Sequence, residues 1–354
     1  MSNFLLKGVS ITAIAGAVPR QKTDNFENPI FEDQSKSQKF FESTGIRFRR
    51  ISDENTCTSD LCVASAEKIF DQTYHKKEDI QLLVCVTQTP DLYAPMNAAL
   101  IQDRLKLNKS TIVFDVPSGC SGFVYGIMIV GSMLKGLGLK KGMFMIGDTL
   151  SKSCSKFDPS TEPVFGDGGV ACIVEYNYRE TENIWINAAG DGSGWETLFV
   201  KERGYRFPLK ESSLIYREDK DGINRRGIDT VMNGMNVFSF GISVPPKSIN
   251  EVLNYANLSG DQIDYFIFHQ ASMMLVDKIR LKIKQPEHKV LSSLYHFGNT
   301  SGASIPITLL TEFFPKVKKN QAYKIVCCGF GIGLSWGSMI LEIKDITSFP
   351  LIEI

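Results

Sequence analysis

What most restricts the fold of this 354-residue chain is an order of elements that occurs twice. In the first series a strand at Leu82 to Thr87 leads to a helix near Asn97 to Leu107, then a strand at Ile112 to Val116 and a helix from about Ser121 to Lys135. Strands at Met143 to Gly147 and Val170 to Glu175 close it. The second series has strand Tyr265 to Phe268, helix Ser272 to Lys284, strand Lys289 to Leu291 and helix Gly302 to Phe314. It ends in strands Tyr323 to Cys328 and Ser338 to Ile343. Short runs rich in Val, Ile and Cys bounded by turn residues read as strands, and longer runs of 3.6-residue period read as helices. Alternating strands and helices imply parallel sheets covered on both faces, and Ile325-Val-Cys-Cys is apolar enough to be a central strand. The expectation is a duplicated α/β fold with two packed sheets.

The seam between the copies is placed in Tyr176 to Trp185, a polar, non-periodic stretch, dividing the chain into halves 1–180 and 181–354. Residues 200–230 are charged and loop-like, which suits an insertion near a surface or a substrate entrance. The apolar run Phe4 to Val18 imitates a signal peptide through Ala13, Ala15 and Ala17. Lys7 interrupts it and no basic segment precedes it, so a half-buried strand is the expectation.

Ile112-Val-Phe-Asp-Val-Pro-Ser-Gly-Cys-Ser-Gly-Phe-Val-Tyr-Gly-Ile describes a buried strand, a tight turn and a helix apolar nearly all round. Cys120 therefore stands where a helix begins. Free backbone N–H groups and the positive end of the helix dipole favour a thiolate there, which predicts a lowered thiol pKa and a nucleophile. An isolated Cys more often only packs; the turn sets this one apart from the other seven. Cys327 and Cys328 are adjacent in a strand and point to opposite faces, and the Cys57/Cys62 spacing has no second pair, so no metal site is expected.

His269 ends a strand at the carboxyl edge of the second sheet, where α/β proteins bind ligands. Asn299, in Phe297-Gly-Asn-Thr-Ser-Gly-Ala-Ser, lies in a Gly-rich turn before a helix, at the repeat position of Cys120; alone it reads as a helix cap. Related by the repeat, Cys120 and Asn299 are expected to meet across a pseudo-twofold axis. His75 and His288 read as solvated, and His296 as a packing residue near the site. Gly329-Phe-Gly-Ile-Gly-Leu-Ser-Trp-Gly is no phosphate loop because it enters a strand and offers no helix N-terminus. A backbone N–H donor to an oxyanion is a better use.

Composition excludes several classes. Lys and Arg total 39, as do Asp and Glu, so no global field favours nucleic acid or an anionic membrane. No run approaches the roughly 20 apolar residues of a membrane helix. Eight Cys spread over a long chain suit buried thiols in a reducing compartment, and the expected location is the cytoplasm.

Together these residues resemble the beta-ketoacyl-acyl carrier protein synthase III family of the thiolase superfamily. The likeness runs through Thr44-Gly-Ile-Arg, Asp115 to Phe123, Phe165-Gly-Asp-Gly-Gly, Asp191-Gly-Ser, His269-Gln-Ala, Gly298-Asn-Thr-Ser and Gly329 to Gly337. The resemblance implies a thiolase fold of two mixed sheets in α-β-α-β-α layers, with catalytic Cys120, His269 and Asn299. It also implies an oxyanion hole from the backbone of Cys120 and Ile332, and substrate contacts from Arg47, Ala94, Ser272, Phe330, Gly331 and Gly333. The implied reaction is decarboxylative Claisen condensation of an acyl thioester with a malonyl thioester, needing no cofactor. The implied partners are acyl-CoA or acyl-carrier protein, malonyl-carrier protein and a second copy of the chain.

Several positions depart from the family pattern. Lys39 and Ser43 stand where acetyl-CoA-primed members carry a Trp and an Arg, Met274 replaces a basic residue and Ser272 an Asn. Ala94 replaces a bulky aromatic, which implies a longer or branched acyl group and a specialised pathway. Two alternatives share the scaffold: acyl transfer from Cys120 to an alcohol or amine without C–C bond formation, and a silent partner in a heterodimeric synthase.

Overall fold

The computed structural model describes residues 1–179, 182–318 and 320–354. One sheet orders Thr347–Ser348, Val9–Val18, Gly168–Tyr176, Lys141–Asp148, Leu82–Val86 and Ile112–Val116, with Ile352–Glu353 also pairing along Val9–Val18. The other orders Ser2–Lys7, Asn183–Gly190, Ser335–Ile343, Tyr323–Gly331, Tyr265–Phe268 and Val290–Leu291. Strand directions repeat as well. Leu82–Val86 is parallel to both neighbours, after which Lys141–Asp148, Gly168–Tyr176 and Val9–Val18 pair antiparallel in turn. Tyr265–Phe268 is likewise parallel to both neighbours, and Tyr323–Gly331, Ser335–Ile343 and Asn183–Gly190 follow antiparallel.

Five layers result. The helix Gly122–Leu137 and the short helix Ser304–Thr308 lie between the sheets, in a core that takes residues from both. A helix sandwiched between two sheets buries most of its surface, which is why Gly122–Leu137 is apolar nearly all round; its exposed residues, Ser132, Lys135, Gly136 and Leu137, lie in its last turns. Helices Thr58–Gln72 and Asn97–Leu105 cover the outer face of the first sheet, and Gly234–Tyr255 and Met273–Lys282 that of the second. Period-two alternation sends Cys327 into the core between the sheets and Cys328 into the outer one. All eight Cys are free thiols, and among the described residues no helix is long and apolar enough to cross a membrane.

Some expectations change. The boundary 180/181 lies outside the described residues, and the stretch read as a seam is already a strand from Asn183, since Asn183–Gly190 pairs with both Ser2–Lys7 and Ser335–Ile343. Strands also cross the halves: Ser2–Lys7 joins the second sheet, and 347–353 join the first. The 22-residue helix Gly234–Tyr255 contains Pro245 and Pro246, which hide it from a periodicity reading. A Pro at 246 cannot donate to the carbonyl four residues back, and the Lys282 ammonium bonds that Ile242 carbonyl at 2.7 Å instead. The segment read as one helix from Gly302 to Phe314 is a 3₁₀ turn, an α turn over Ser304–Thr308 and a π turn over Leu309–Phe313. His75 is buried, not solvated, against Thr12 and Lys141, and burial lowers its pKa. His296 is exposed and stacks on Phe48.

Candidate active site

The strand Ile112–Val116 ends in the turn 117–119, and the helix Gly122–Leu137 begins two residues past Cys120, with Ser121 at its cap position. The sulfur is thus delivered between the sheets by a strand and helix that cannot shift without emptying the core. It is buried, at 4% exposure, and burial pushes the thiol up to about 12, with the Asp148 carboxylate adding to the effect. Hydrogen bonds from the Ser301 hydroxyl and the backbone amides of Cys120 and Ile332 pull the other way. The lowered thiol pKa expected from the helix start is therefore not what the structure has. Desolvation of a charge in a dry core outweighs the favourable amides.

Ile332 reaches the sulfur because it sits at the tip of the hairpin joining Tyr323–Gly331 to Ser335–Ile343. The hairpin is tied to the cap of the helix Gly122–Leu137 by a 2.7 Å contact between the Ser335 and Ser121 hydroxyls. Gly331 makes the approach feasible: a β-carbon there would stand 2.5 Å from the Cys120 Cβ and 2.8 Å from its sulfur.

His269 leaves the strand Tyr265–Phe268 with its amide bonded to the Cys328 carbonyl at 2.8 Å. Its Nδ1 is 2.8 Å from the Ser304 hydroxyl, and its ring stands edge-on to Phe330 at 5.5 Å. Burial holds its pKa down at about 3, opposed only by the Ser301 carbonyl, so the ring is neutral at physiological pH.

Asn299 is locked to a loop of the other half. Its amide donates to the Val164 carbonyl at 3.0 Å, and its carbonyl accepts from Gly166 at 3.1 Å. Its Oδ1 accepts the Ser301 amide at 2.9 Å, leaving the side-chain NH₂ as the group with hydrogens to offer. Gly298, at φ +62, makes the turn, and a β-carbon would lie 2.8 Å from the Val164 carbonyl oxygen. Gly298→Ala is expected to destabilise the fold by about 2 kcal/mol through left-handed strain and that clash. Urea unfolding measures it, and an unchanged midpoint would contradict the account.

Cys120, His269 and Asn299 line one cavity of about 390 Å³, together with Phe330, Gly331 and Ile332. Ser272 also lines it, but its hydroxyl accepts the Leu275 amide at 3.3 Å and so caps the helix Met273–Lys282. A second cavity of about 640 Å³ adjoins the first across Phe165, Leu198 and Ile332. Gly333 lines only this second one. Ala94 and Arg47 line neither of the two. Ala94 is exposed on the surface. Arg47 pairs with Asp24 at 3.1 Å and lies over the Phe26 and Phe48 rings. Sequence reasoning missed Gln88, Asp148 and Ser301, which surround the sulfur from behind. Gln88 was legible in principle, since it follows Leu82–Val86 much as His269 follows the matching strand Tyr265–Phe268.

Two sheets of matching order, with a cysteine from one half facing an imidazole and a carboxamide from the other across one cavity, define the thiolase-fold class. Residues 114–192 match the 3-oxoacyl-[acyl-carrier-protein (ACP)] synthase III family, and residues 253–343 match its C-terminal region. The beta-ketoacyl-[acyl-carrier-protein] synthase III of Streptococcus pyogenes is 32% identical over 336 residues, covering 94% of this chain and 98% of its own. The enzyme of that name from Clostridium perfringens is 33% identical over 301 residues, 85% of this chain and 89% of its own. The crystal structure of 3-oxoacyl-(acyl-carrier protein) synthase from Burkholderia xenovorans superposes with a TM-score of 0.91 at 27% identity, covering 100% of this chain and 99% of that one. The chain belongs to the beta-ketoacyl-acyl carrier protein synthase III family and is a transferase of that type.

Proposed function

We propose that this enzyme joins an acyl thioester to a malonyl thioester by decarboxylative Claisen condensation, with Cys120, His269 and Asn299 as its catalytic residues. The observation that carries the reading is the single cavity in which a buried sulfur meets a neutral imidazole and a carboxamide whose oxygen is already occupied. Cys120 Sγ attacks the acyl carbonyl, and the thiol proton leaves with the departing thiol. The backbone N–H groups of Cys120 and Ile332 hold the tetrahedral oxyanion. In the second half-reaction the Asn299 NH₂ and the His269 ring donate to the malonyl thioester carbonyl. The Gln270 amide donates to the Ser304 hydroxyl at 3.4 Å, which leaves the hydroxyl proton for His269 Nδ1 and keeps the ring proton on Nε2. Loss of carbon dioxide leaves an enolate held by those two donors, and its carbon attacks the acyl-Cys120 carbonyl. Neutral donors suit an enolate oxygen because they stabilise developing charge without holding the carboxylate substrate too tightly beforehand.

The same reading takes acyl-CoA or an acyl-carrier protein as donor, malonyl-carrier protein as extender and a second copy of the chain as partner. The halves 1–180 and 181–354 then bring the nucleophile and its two donors from opposite sides. Exposed Ala94 belongs, in this reading, at the partner's acyl pocket, where its small size admits a longer or branched chain in a specialised pathway. The test is to load the enzyme from a panel of acyl thioesters, add malonyl-carrier protein, and assay carbon dioxide and the beta-keto product. Transfer of the acyl group to an alcohol or amine, with no carbon dioxide released, would reject it.

A further inference from the structure

Ser301 touches all three residues of the site. Its amide holds the Asn299 Oδ1 at 2.9 Å, its carbonyl lies within hydrogen-bonding reach of the His269 ring, and its hydroxyl oxygen is 4.0 Å from the Cys120 sulfur. The residue is fully buried and adopts φ +51, so the turn that follows Asn299 aims the hydroxyl at the sulfur. Behind it stands Gln88, whose Nε2 donates to the Ser301 Oγ at 2.8 Å. An amide NH₂ only donates, so Ser301 Oγ is an acceptor toward Gln88 and has its single proton left to give elsewhere.

Two acceptors compete for that proton. One is Cys120 Sγ; the other is Asp148, a fully buried carboxyl at the end of Lys141–Asp148. Its Oδ1 accepts the Gln88 amide at 2.7 Å and the Thr87 and Thr89 hydroxyls at 3.0 and 3.3 Å, while its Oδ2 is buried with no partner at full hydrogen-bonding geometry. The Ser301 hydroxyl and the Gly302 amide both act on this carboxyl, opposing the rise that burial imposes on its pKa. A buried carboxyl oxygen without a partner is costly, and a hydroxyl rotor beside it is the cheapest remedy.

We propose that Ser301 is a positioning residue whose hydroxyl, held in place by Gln88, donates to the Cys120 sulfur while it is charged and turns to Asp148 Oδ2 once the sulfur is acylated. The idea rests on the reading of Cys120 as nucleophile. During acylation the Sγ–C bond forms, the donor's C–S bond breaks, and the cysteine proton departs on the released thiol. The Ser301 proton never leaves its oxygen; it only changes acceptor. A charge-assisted bond stabilises the thiolate at the moment of attack, and its transfer to Asp148 withdraws a competing donor from the neutral thioester.

The experiment follows alkylation of the Cys120 peptide by iodoacetamide, read by mass, from about pH 7 to about pH 9. Ser301→Ala is expected to slow alkylation roughly tenfold at each pH, equivalent to the thiol titrating about one unit higher. Gln88→Met, which removes the donor without touching the Asn299 turn, is expected to shift the profile in the same direction and serves if Ser301→Ala does not fold. Profiles of the folded variants that coincide with wild type would overturn the proposal. If no acyl thioester loads wild-type Cys120, the condensation reading fails, while the alkylation profiles still decide the role of Ser301.

Discussion

Cys120→Ala is expected to gain no mass from any acyl thioester and to lose condensation by about 10³-fold or more, because the covalent route disappears with the sulfur. The variant nonetheless keeps His269, Asn299 and the cavity between them, so decarboxylation of malonyl-carrier protein should persist uncoupled from C–C bond formation. Measuring carbon dioxide and beta-keto product in parallel separates these outcomes. A variant that still condenses would remove the sulfur from the mechanism. Alanine is a mild replacement at this buried position, and the packing of Phe123, Val124 and Ile127 behind it stays intact.

His269→Ala should divide the reaction the other way. In the proposed mechanism acyl transfer to Cys120 uses the backbone amides of Cys120 and Ile332, neither of which depends on the imidazole, and mass gain should continue at close to the wild-type rate. Decarboxylation loses one of two donors to the enolate and should fall by about 10²- to 10³-fold. Asn299→Ala removes the other and should fall by a similar factor, with some loss of acylation because Ser301 then lacks the Oδ1 that its amide holds. The double variant should be little worse than either single one, since the two donors act on one oxygen. Single-turnover acylation and steady-state carbon dioxide release measure the two halves; equal losses in both for His269→Ala would contradict the division of labour.

Much of the architecture was legible because period and order survive in the sequence. The strand bounds Ile112–Val116 and Tyr265–Phe268 are readable directly, since both are short apolar runs between turn residues, but Ile112–Val116, expected to be buried, is a half-exposed strand at the edge of its sheet. Gly234–Tyr255 was not readable, because two prolines break the pattern and the repair comes from Lys282, far along the chain. Thr58–Gln72 lies outside the two repeated series, although its buried Leu61, Cys62, Ser65, Ala66 and Ile69 recur at helical spacing. At the site, Cys120, His269 and Asn299 stand out by their turns, whereas Ser301, Gln88 and Asp148 gain meaning only when two strand ends and a turn converge. The thiol's titration was misjudged for a related reason: a helix start is visible in one dimension, but the depth of burial around it is not.

The crossed strands bear on how the molecule comes into being. Ser2–Lys7 lies at the rim of a sheet whose other members begin at Asn183, and 347–353 flank Val9–Val18 in the other sheet. While the polypeptide is being synthesised, Ser2–Lys7 cannot pair until Asn183–Gly190 has been made. Val9–Val18, in the sheet that carries Cys120, keeps one border uncovered until 347–353 have been made. Each border left open is a template for a neighbouring nascent chain. Assembly of the cavity that holds Cys120, His269 and Asn299 is therefore a late event, completed only when both borders are covered.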